Sequence, residues 1–325
     1  MSSPPKVLVI RGGAIGDFIL TLPAIRLLRE SIPSARVEIL GYKPIIDLAV
    51  AAGLADATHH LDHVTMAKLF VPNATLDAKL TEWLQSFNLI VSYLFDPDAI
   101  LRGNMERLGV RTYLECPHRV EPGRGHAALQ LARPLEKIAM FMEEPYGPAD
   151  AFPFGTAAPK QRVIAVHPGS GSMQKNWPIE HWIAAGSRLA QECPEQQLAL
   201  ITGEAEHERG ITEQITSAWR ELNFIHWNML PLVELASRLA STSAFLGHDS
   251  GISHLAAACA VPCLLFFGPT DPGTWAPCSD RVRVVVAPTG NLEHLSLEIG
   301  LREMREFLQS AGNPLGQVAT PAALA

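Results

Sequence analysis

The 325-residue sequence is poor in charge, and neither sign dominates either half of it. Charged residues make up 18% of the chain, with 26 Lys and Arg against 33 Asp and Glu and a net charge of −7. Residues 1–150 hold 15 basic and 17 acidic residues, which leaves 11 and 16 for residues 151–325. A nucleic-acid-binding face needs clustered basic residues to neutralise phosphates. The composition therefore excludes nucleic acid as the main partner.

Cysteine is also scarce, and its spacing fits neither a disulfide framework nor a zinc site. The chain has five cysteines, an odd number, and no CxxC pair. Cys259 and Cys263 flank an apolar helix end, where small buried thiols are the usual finding. Reduced thiols are typical of a cytosolic protein. We therefore expect a cytoplasmic location.

Long hydrophobic runs are absent from the sequence. No apolar stretch reaches the roughly 18 to 20 residues that a membrane-spanning helix needs. The apolar core that follows Lys6 is too short for a signal peptide. We expect any contact with a membrane to be peripheral.

The sequence does contain a repeated alternation of short apolar strands and helices, long enough for two domains. An irregular stretch with Pro145, Pro148, Pro153 and Pro159 marks the expected linker. The pattern predicts an α/β protein with a Rossmann-like domain at 1–155, a second one at 156–311 and a flexible tail at 312–325. Strands that alternate with helices favour parallel sheets.

The first strand, Lys6–Ile10, runs into a glycine-rich loop and then a helix that extends to Ser31. The dinucleotide fingerprint GxGxxG is missing, so an NAD site is not favoured. Gly13 and Gly16 instead let a substrate approach the backbone and leave Asp17 exposed at the carboxyl end of the strand. Asp17 is either a helix cap or a carboxylate that accepts a proton.

Two loops of the second domain are typical of phosphate-binding loops. The loop 167–175 is rich in small residues, includes Ser170 and ends at Lys175, which is either a diphosphate ligand or an ordinary surface lysine. The pattern of residues 248–254 is typical of the end of a strand followed by the start of a helix. Either it only caps a core helix, or its amides and His254 bind an anion. A turn at 268–272 ends the next strand at the same sheet edge.

No metal site is predicted, and no cofactor is expected. His59, His60, Asp62 and His63 resemble a metal cluster, but a solvated loop is the favoured interpretation. No DxD motif accompanies the phosphate-type loops. An acid in the loop that leads into a helix after Gly203 is suited to bind ribose hydroxyls.

Together, these segments resemble glycosyltransferase family 9, the ADP-heptose lipopolysaccharide heptosyltransferases. The matching pieces are spread over most of the chain in the family's order; they are RGGAIGDFILTLP at 11–23, HPGS at 167–170, KNWP at 175–178, DSGISH at 249–254 and FGPTDP at 267–272.

The resemblance implies a GT-B fold, with two facing Rossmann-like domains and an interdomain cleft. It implies inverting, metal-independent transfer of heptose from ADP-heptose, as co-substrate, to a hydroxyl of a saccharide or lipopolysaccharide core acceptor. Asp17 matches the general base and Lys175 the diphosphate lysine. Asp249 matches a residue near the ribose or donor sugar; the nucleotide-diphosphate contacts are matched by Ser170, Ser250, Gly251 and His254. For the family's acid in the loop after Gly203, Glu206 and Glu208 both compete, and Glu208 is preferred.

Two other functions remain open from the sequence. One is a GT-B sugar-nucleotide epimerase or hydrolase, for which a separate acceptor-side aspartate is harder to explain. The other is a non-catalytic nucleotide-sugar-binding protein in which Asp17 is idle. Turnover of the donor without an acceptor indicates the epimerase or hydrolase. Tight binding of the nucleotide sugar without turnover indicates the non-catalytic binding protein.

Overall fold

A computed structural model describes residues 4–144 and 161–311 of the chain. These ranges form two compact units, unit 1 (residues 4–144) and unit 2 (residues 161–311). The predicted domain boundary at 155/156 and the predicted tail at 312–325 lie outside the described residues.

Unit 1 is built around a parallel sheet of five strands in the order β3-β2-β1-β4-β5. The strands are β1 (Lys6–Arg11), β2 (Arg36–Gly41), β3 (Ala57–His60), β4 (Leu89–Ser92) and β5 (Tyr113–Glu115). The helices are α1 (Ile15–Ser31), α2 (Asp47–Ala51), α3 (Ala78–Gln85), α4 (Ile100–Arg107) and α5 (Ala127–Ala132), with 3₁₀ helices at Val64–Phe70 and Arg133–Ile138.

Strand β1 is central in this sheet because its apolar residues are buried on both faces. Val9 lies opposite Ile39 of β2 and Val91 of β4, and all three side chains are inaccessible to solvent. Strands β2 and β4 flank β1 on opposite sides, so the connections after β1 and β4 diverge. Such a switch point opens a crevice at the carboxyl ends of the strands.

Unit 2 repeats this architecture with six parallel strands in the order β11-β10-β9-β6-β7-β8. The strands are β6 (Val163–Val166), β7 (Gln197–Thr202), β8 (Phe224–Asn228), β9 (Ala244–His248), β10 (Cys263–Phe267) and β11 (Val282–Val286). The helices are α6 (Ile179–Glu192), α7 (Glu204–Glu208), α8 (Ile211–Ala218), α9 (Leu232–Ala240), α10 (Gly251–Ala258), α11 (Pro272–Trp275) and α12 (Leu297–Ala311), with 3₁₀ helices at Met173–Lys175, Pro288–Gly290 and Leu292–His294.

Aromatic side chains fill the core of unit 2 on one side of its sheet. Trp177 and Trp182 are each 1% exposed and meet edge to face, with ring centroids 5.4 Å apart. Phe266 of β10 packs against Trp177 at 5.1 Å. Offset and edge-to-face arrangements are the favoured geometry of aromatic pairs. This cluster lies directly beneath the loop that ends at Lys175.

One local prediction needs correction. His59 and His60 lie in strand β3 and not in a loop, because the strand continues the parallel ladder beside β2. His59 Nε2 is 2.7 Å from Glu38 Oε2, so its ring contacts a side chain of the neighbouring strand β2.

In the described ranges, no helix is both long and apolar enough to cross a membrane.

Helix packing in unit 2 predicts a measurable effect of one methyl group. A Cβ at Gly186 in α6 would overlap the Trp219 indole, whereas a Cβ at Gly103 in α4 meets no atom within 4 Å. We expect Gly186→Ala to lower the free energy of unfolding by about 1–3 kcal/mol through overpacking. The control Gly103→Ala should raise it by about 0.5–1 kcal/mol through helix propensity. Urea unfolding followed by tryptophan fluorescence gives both values, and equal stability of the two variants would contradict this packing.

Candidate active site

The switch point of unit 2 lies between β6 and β9, which are hydrogen-bonded neighbours. The loop after β6 begins at His167, and the loop after β9 begins at Asp249. Both loops leave the carboxyl edge of the sheet, the edge at which ligands bind in open parallel sheets. The two phosphate-type segments of the sequence therefore meet at one place in space.

Lys175 is held at this edge by the side chain of Asp249. Lys175 Nζ lies 2.6 Å from Asp249 Oδ2, and the hydroxyl of Thr270 donates to the same oxygen at 2.7 Å. The lysine side chain is 30% exposed, while the carboxylate is only 8% exposed. The cation thus keeps an open side toward solvent. Three loops, after β6, β9 and β10, contribute to this cluster.

The ring of His248 fixes the geometry of this cluster. Its Nε2 accepts the Trp177 backbone N–H at 2.8 Å and the Trp182 indole N–H at 3.0 Å. Burial lowers the pKa of His248 to about 3, with a further decrease from nearby His167, while the backbone of Gly169 acts in the opposite direction. The ring is therefore neutral, as an acceptor nitrogen must be. Because Trp177 is two residues from Lys175 and His248 precedes Asp249, these hydrogen bonds bring the ion pair together.

The hydroxyl of Ser170 stabilises its own loop. It donates to the Ser172 carbonyl at 2.7 Å, lies 2.6 Å from Asn176 Oδ1 and accepts the Ser172 N–H at 3.3 Å. Arg209, a residue that no motif in the sequence selects, donates to the carbonyls of Ser170 and Gly171 at 2.6 and 3.3 Å. The loop is thus preorganised by protein contacts, and a ligand contact of Ser170 stays a prediction.

Helix α10 starts at Gly251, with Ser250 as its N-cap. The Ser250 hydroxyl accepts the Ser253 N–H at 3.2 Å. His254 lies in the first turn and is 5% exposed. The positive end of the helix dipole therefore lies next to Asp249 and Lys175. Contact of Ser250, Gly251 or His254 with a ligand stays a prediction.

Glu206 and Glu208, the two candidates for a ribose contact, have different surroundings. Glu206 is 4% exposed and accepts the Gly203 N–H at 2.8 Å. A Cβ at Gly169 would collide with the Glu206 carboxylate, so this glycine permits a close approach between the loops after β6 and β7. Glu208, the predicted residue, is exposed. The geometry brings Glu206 nearer to the cluster.

In unit 1, Asp17 is the third residue of α1 and not its N-cap. The cap position is Ala14, whose N–H donates to Asp17 Oδ2 at 3.1 Å. Gly13 has a φ of +96°, a left-handed conformation that favours glycine, and a Cβ there would crowd the carboxylate. Gly16 is half-buried in the first turn. Asp17 is 42% exposed, so its carboxylate is accessible.

Arg11, in unit 1, is a second residue that sequence reasoning missed, after Arg209 of unit 2. It is 4% exposed, and its guanidinium donates to the carbonyls of Asp17 at 3.3 Å, His118 at 3.3 Å and Tyr93 at 3.5 Å. Burial lowers the pKa of Arg11, and the Asp17 carboxylate, 3.8 Å away, partly restores it. The only signal in the sequence is a charged residue at the end of an apolar strand.

Within the described ranges, no group of three or more His, Cys, Asp or Glu side chains is placed to hold a metal ion. Lys175 and Arg11 are cationic side chains at the two sheet edges.

Solved structures with the same architecture define the fold class. A glycosyltransferase family 9 protein from Veillonella parvula has a TM-score of 0.73 at 15% identity and covers 95% of this chain and 99% of its own. The Escherichia coli heptosyltransferase WaaC with ADP has a TM-score of 0.70 at 17% identity, over 93% and 99%. The chain therefore has the GT-B fold of two parallel-sheet α/β domains.

Sequence comparisons then give the family. The model described as glycosyltransferase family 9 (heptosyltransferase) matches residues 139–299. Lipopolysaccharide heptosyltransferase 1 of Escherichia coli K12 is 31% identical over 133 residues, which are 40% of this chain and only 39% of that protein. A Haemophilus influenzae protein with a provisional glycosyltransferase name is 25% identical over 94% of this chain and 97% of its own length. The chain thus matches glycosyltransferase family 9 over residues 139–299 and is heptosyltransferase-like, as its motifs predicted.

The neutral state of His248 predicts a pH dependence of stability. Because its pKa is lower in the folded protein than in the unfolded chain, the unfolded chain binds a proton first as pH falls below about 6.5. The contribution of neutral His248 to the free energy of unfolding is full above that pH. It is lost progressively toward pH 3, at about 1.4 kcal/mol per pH unit. We expect His248→Gln to unfold with a correspondingly shallower pH dependence between pH 6 and pH 4.

Exposed His63 provides the control for this experiment. His63→Gln should keep the wild-type slope of unfolding free energy against pH, measured by urea titration at each pH. If His248→Gln and wild type have the same slope, His248 is protonated in the folded protein and the hydrogen bonds described above are wrongly assigned.

Proposed function

We propose that the protein is an inverting, metal-independent glycosyltransferase that moves heptose from ADP-heptose to a hydroxyl of a saccharide acceptor. The observation that carries this proposal is the pairing of Lys175 with Asp249 beside the start of α10, at the switch point of unit 2. The choice of donor is supported by the Escherichia coli heptosyltransferase WaaC, which has been solved with ADP and with ADP-2-deoxy-2-fluoro heptose.

The leaving group of this reaction is a nucleoside diphosphate whose negative charge grows as the glycosidic bond breaks. Lys175 supplies a cation that Asp249 and Thr270 already orient, so little reorganisation is needed when charge develops. The first turn of α10 adds a positive dipole end. Asp249, a buried carboxylate, is suited to accept hydrogen bonds from sugar hydroxyls on the same ligand.

The acceptor hydroxyl requires a base, and Asp17 has the properties of one. Its carboxylate is 42% exposed and is held by the Ala14 N–H and by Arg11. In the proposed step, the acceptor oxygen bonds to the anomeric carbon as its proton passes to Asp17 and the diphosphate leaves with the electron pair of the broken bond. A positioned general base is sufficient for such a step, since the transition state at the sugar is oxocarbenium-like.

The choice of acceptor class is supported by the names of the relatives, which are lipopolysaccharide heptosyltransferases. We propose a saccharide or lipid-linked saccharide of the lipopolysaccharide core, used on the cytoplasmic side with peripheral contact to the inner membrane. The nucleotide sugar is a co-substrate, and no other cofactor takes part in this proposal.

Removal of Lys175 should weaken nucleotide binding. A hydrogen bond between a charged donor and phosphate contributes about 1.5–3 kcal/mol, so Lys175→Ala should raise the Kd for ADP by about one to two orders of magnitude. The control Arg188→Ala removes an exposed cation from α6 of the same unit and should leave the Kd unchanged. Titration calorimetry measures both. Unchanged affinity in Lys175→Ala, or an equal loss in both variants, would remove Lys175 from the diphosphate site.

Replacement of Asp17 by asparagine separates catalysis from capping. Asparagine can still accept the Ala14 N–H, and the buried Arg11 guanidinium keeps its three backbone carbonyl partners, so the variant should fold. Its melting temperature should be lower, because the carboxylate 3.8 Å from that guanidinium loses its charge. Loss of a general base should lower kcat for heptose transfer by about 10²- to 10⁴-fold, with donor affinity unchanged.

Asp77→Asn is the matched control, since Asp77 caps α3 in unit 1 by accepting the Leu80 N–H at 2.9 Å. It should retain full activity at a similar melting temperature. Full activity of Asp17→Asn would refute the base assignment. A rate that falls only with the folded fraction would make Asp17 a structural residue, and ADP release without acceptor would indicate a hydrolase.

A further inference from the structure

Arg209 lies directly after α7 and reaches across to the loop that follows β6. Its Nη1 donates to the Ser170 carbonyl at 2.6 Å, and its Nη2 donates to the Gly171 carbonyl at 3.3 Å. The guanidinium carries its N–H groups in a rigid fork, which allows one side chain to hold two successive carbonyls at once. Arg209 therefore sets the direction of two consecutive peptide groups in this loop.

The same two peptide groups present their N–H groups on the side opposite Arg209. In a trans peptide, the carbonyl and the N–H of one planar unit point in opposite directions. The Ser170 carbonyl shares its peptide group with the Gly171 N–H, and the Gly171 carbonyl shares its peptide group with the Ser172 N–H. Because Arg209 holds both carbonyls, both N–H groups point away from it. Successive N–H groups on one side of a loop form a concave site for anions.

The protein itself makes little use of these two N–H groups. The Ser172 N–H donates to the Ser170 hydroxyl at 3.3 Å, which is beyond the usual range of about 2.7–3.2 Å. Among the residues that the structure describes, no group accepts the Gly171 N–H. Gly171 is exposed, and a Cβ placed there would meet no atom within 4 Å. A ligand can therefore approach from solvent and take up both donors.

The strand order gives the direction in which these N–H groups point. Strand β6 lies between β7 and β9. Arg209 follows β7 and approaches the loop after β6 from one side, whereas Asp249 and the start of α10 follow β9 on the other side. N–H groups that point away from Arg209 face this other side, on which Lys175 is paired with Asp249. The loop amides and Lys175 therefore border the same crevice.

We propose that Arg209 is a positioning residue of the diphosphate site, which turns the N–H groups of Gly171 and Ser172 toward the diphosphate without contacting that ligand itself. The inference rests on the proposed function and deepens it by assigning part of the leaving-group binding to backbone amides. A cation on the carbonyl side also polarises both peptide groups and strengthens their N–H groups as donors. Donors that are already in place need no reorganisation as the diphosphate gains charge.

Binding of inorganic pyrophosphate and of ADP to the full chain tests this role. Arg209→Ala should raise the Kd for both ligands by roughly tenfold, because two donors lose their orientation. Arg209→Lys keeps the positive charge but lacks the fork that holds two carbonyls, so it should lose most of the same affinity. Titration calorimetry measures these values.

Arg281→Ala is the matched control for both variants. Arg281 is an exposed arginine of unit 2 that also donates to a backbone carbonyl, that of Ala260, at 3.1 Å. Its replacement should leave the Kd for pyrophosphate and for ADP unchanged.

The amide resonance of Gly171 reports the orientation of its N–H group directly. In proton–nitrogen correlation spectra of the glycine-labelled chain, pyrophosphate should move this resonance in the wild-type protein, because a new hydrogen bond forms. Gly171→Ala, for which the loop has room, identifies the resonance by its loss. At saturating pyrophosphate, the change should be smaller in Arg209→Ala and of wild-type size in Arg281→Ala.

The proposal is overturned by an unchanged Kd for pyrophosphate in Arg209→Ala, or by equal losses of affinity in Arg209→Ala and Arg281→Ala. A Gly171 resonance that pyrophosphate does not move in the wild-type protein also overturns it. Full affinity in Arg209→Lys would show that a point charge is sufficient, and it would likewise remove the positioning role.

These results separate the two proposals. If the wild-type protein binds ADP and transfers heptose while Arg209→Ala has the wild-type Kd, only the positioning role of Arg209 is removed. If Arg209 orients the loop for pyrophosphate in a protein that transfers no heptose, that role is retained and the proposed function is removed.

Discussion

The candidate nucleotide site depends on one buried imidazole that remains neutral. His248 Nε2 accepts two N–H groups, from the Trp177 backbone and the Trp182 indole, and thereby joins the loop after β6 to the end of β9. A protonated ring would have no acceptor nitrogen, and both N–H groups would then be buried without partners, at a cost of about 1–3 kcal/mol each. The position of Lys175 beside Asp249 is a consequence of this arrangement.

Unit 1 uses a buried cation for the same purpose. The Arg11 guanidinium joins three backbone carbonyls from α1, the end of β4 and the segment after β5. Burial of a guanidinium is unfavourable unless its N–H groups are bonded and its charge is balanced, and Asp17 provides the nearest negative charge. Asp17 is therefore held by a group that is fixed in the fold, while its own carboxylate remains accessible.

The two sheet edges differ in a way that suits two different ligands. In unit 2, a partly exposed lysine, a helix start and a preorganised loop favour a diphosphate. In unit 1, the edge holds the accessible Asp17 carboxylate beside the buried Arg11 guanidinium, an arrangement that can accept hydrogen bonds from a hydroxyl-bearing ligand.

The sequence by itself determined the alternation of strands and helices, the glycine loop before Asp17 and the phosphate-type loops with Lys175, because these features are encoded in local periodicity and turn chemistry. Their common position also followed, since parallel strands end at one sheet edge. Only the tertiary structure decided that His248 binds Trp177 and Trp182, 71 and 66 residues away, that Arg11 reaches His118, 107 residues away, and that Glu206 rather than Glu208 turns inward. It also decided that His59 pairs in a strand. These contacts depend on which strands become neighbours, and no local pattern in the chain encodes that.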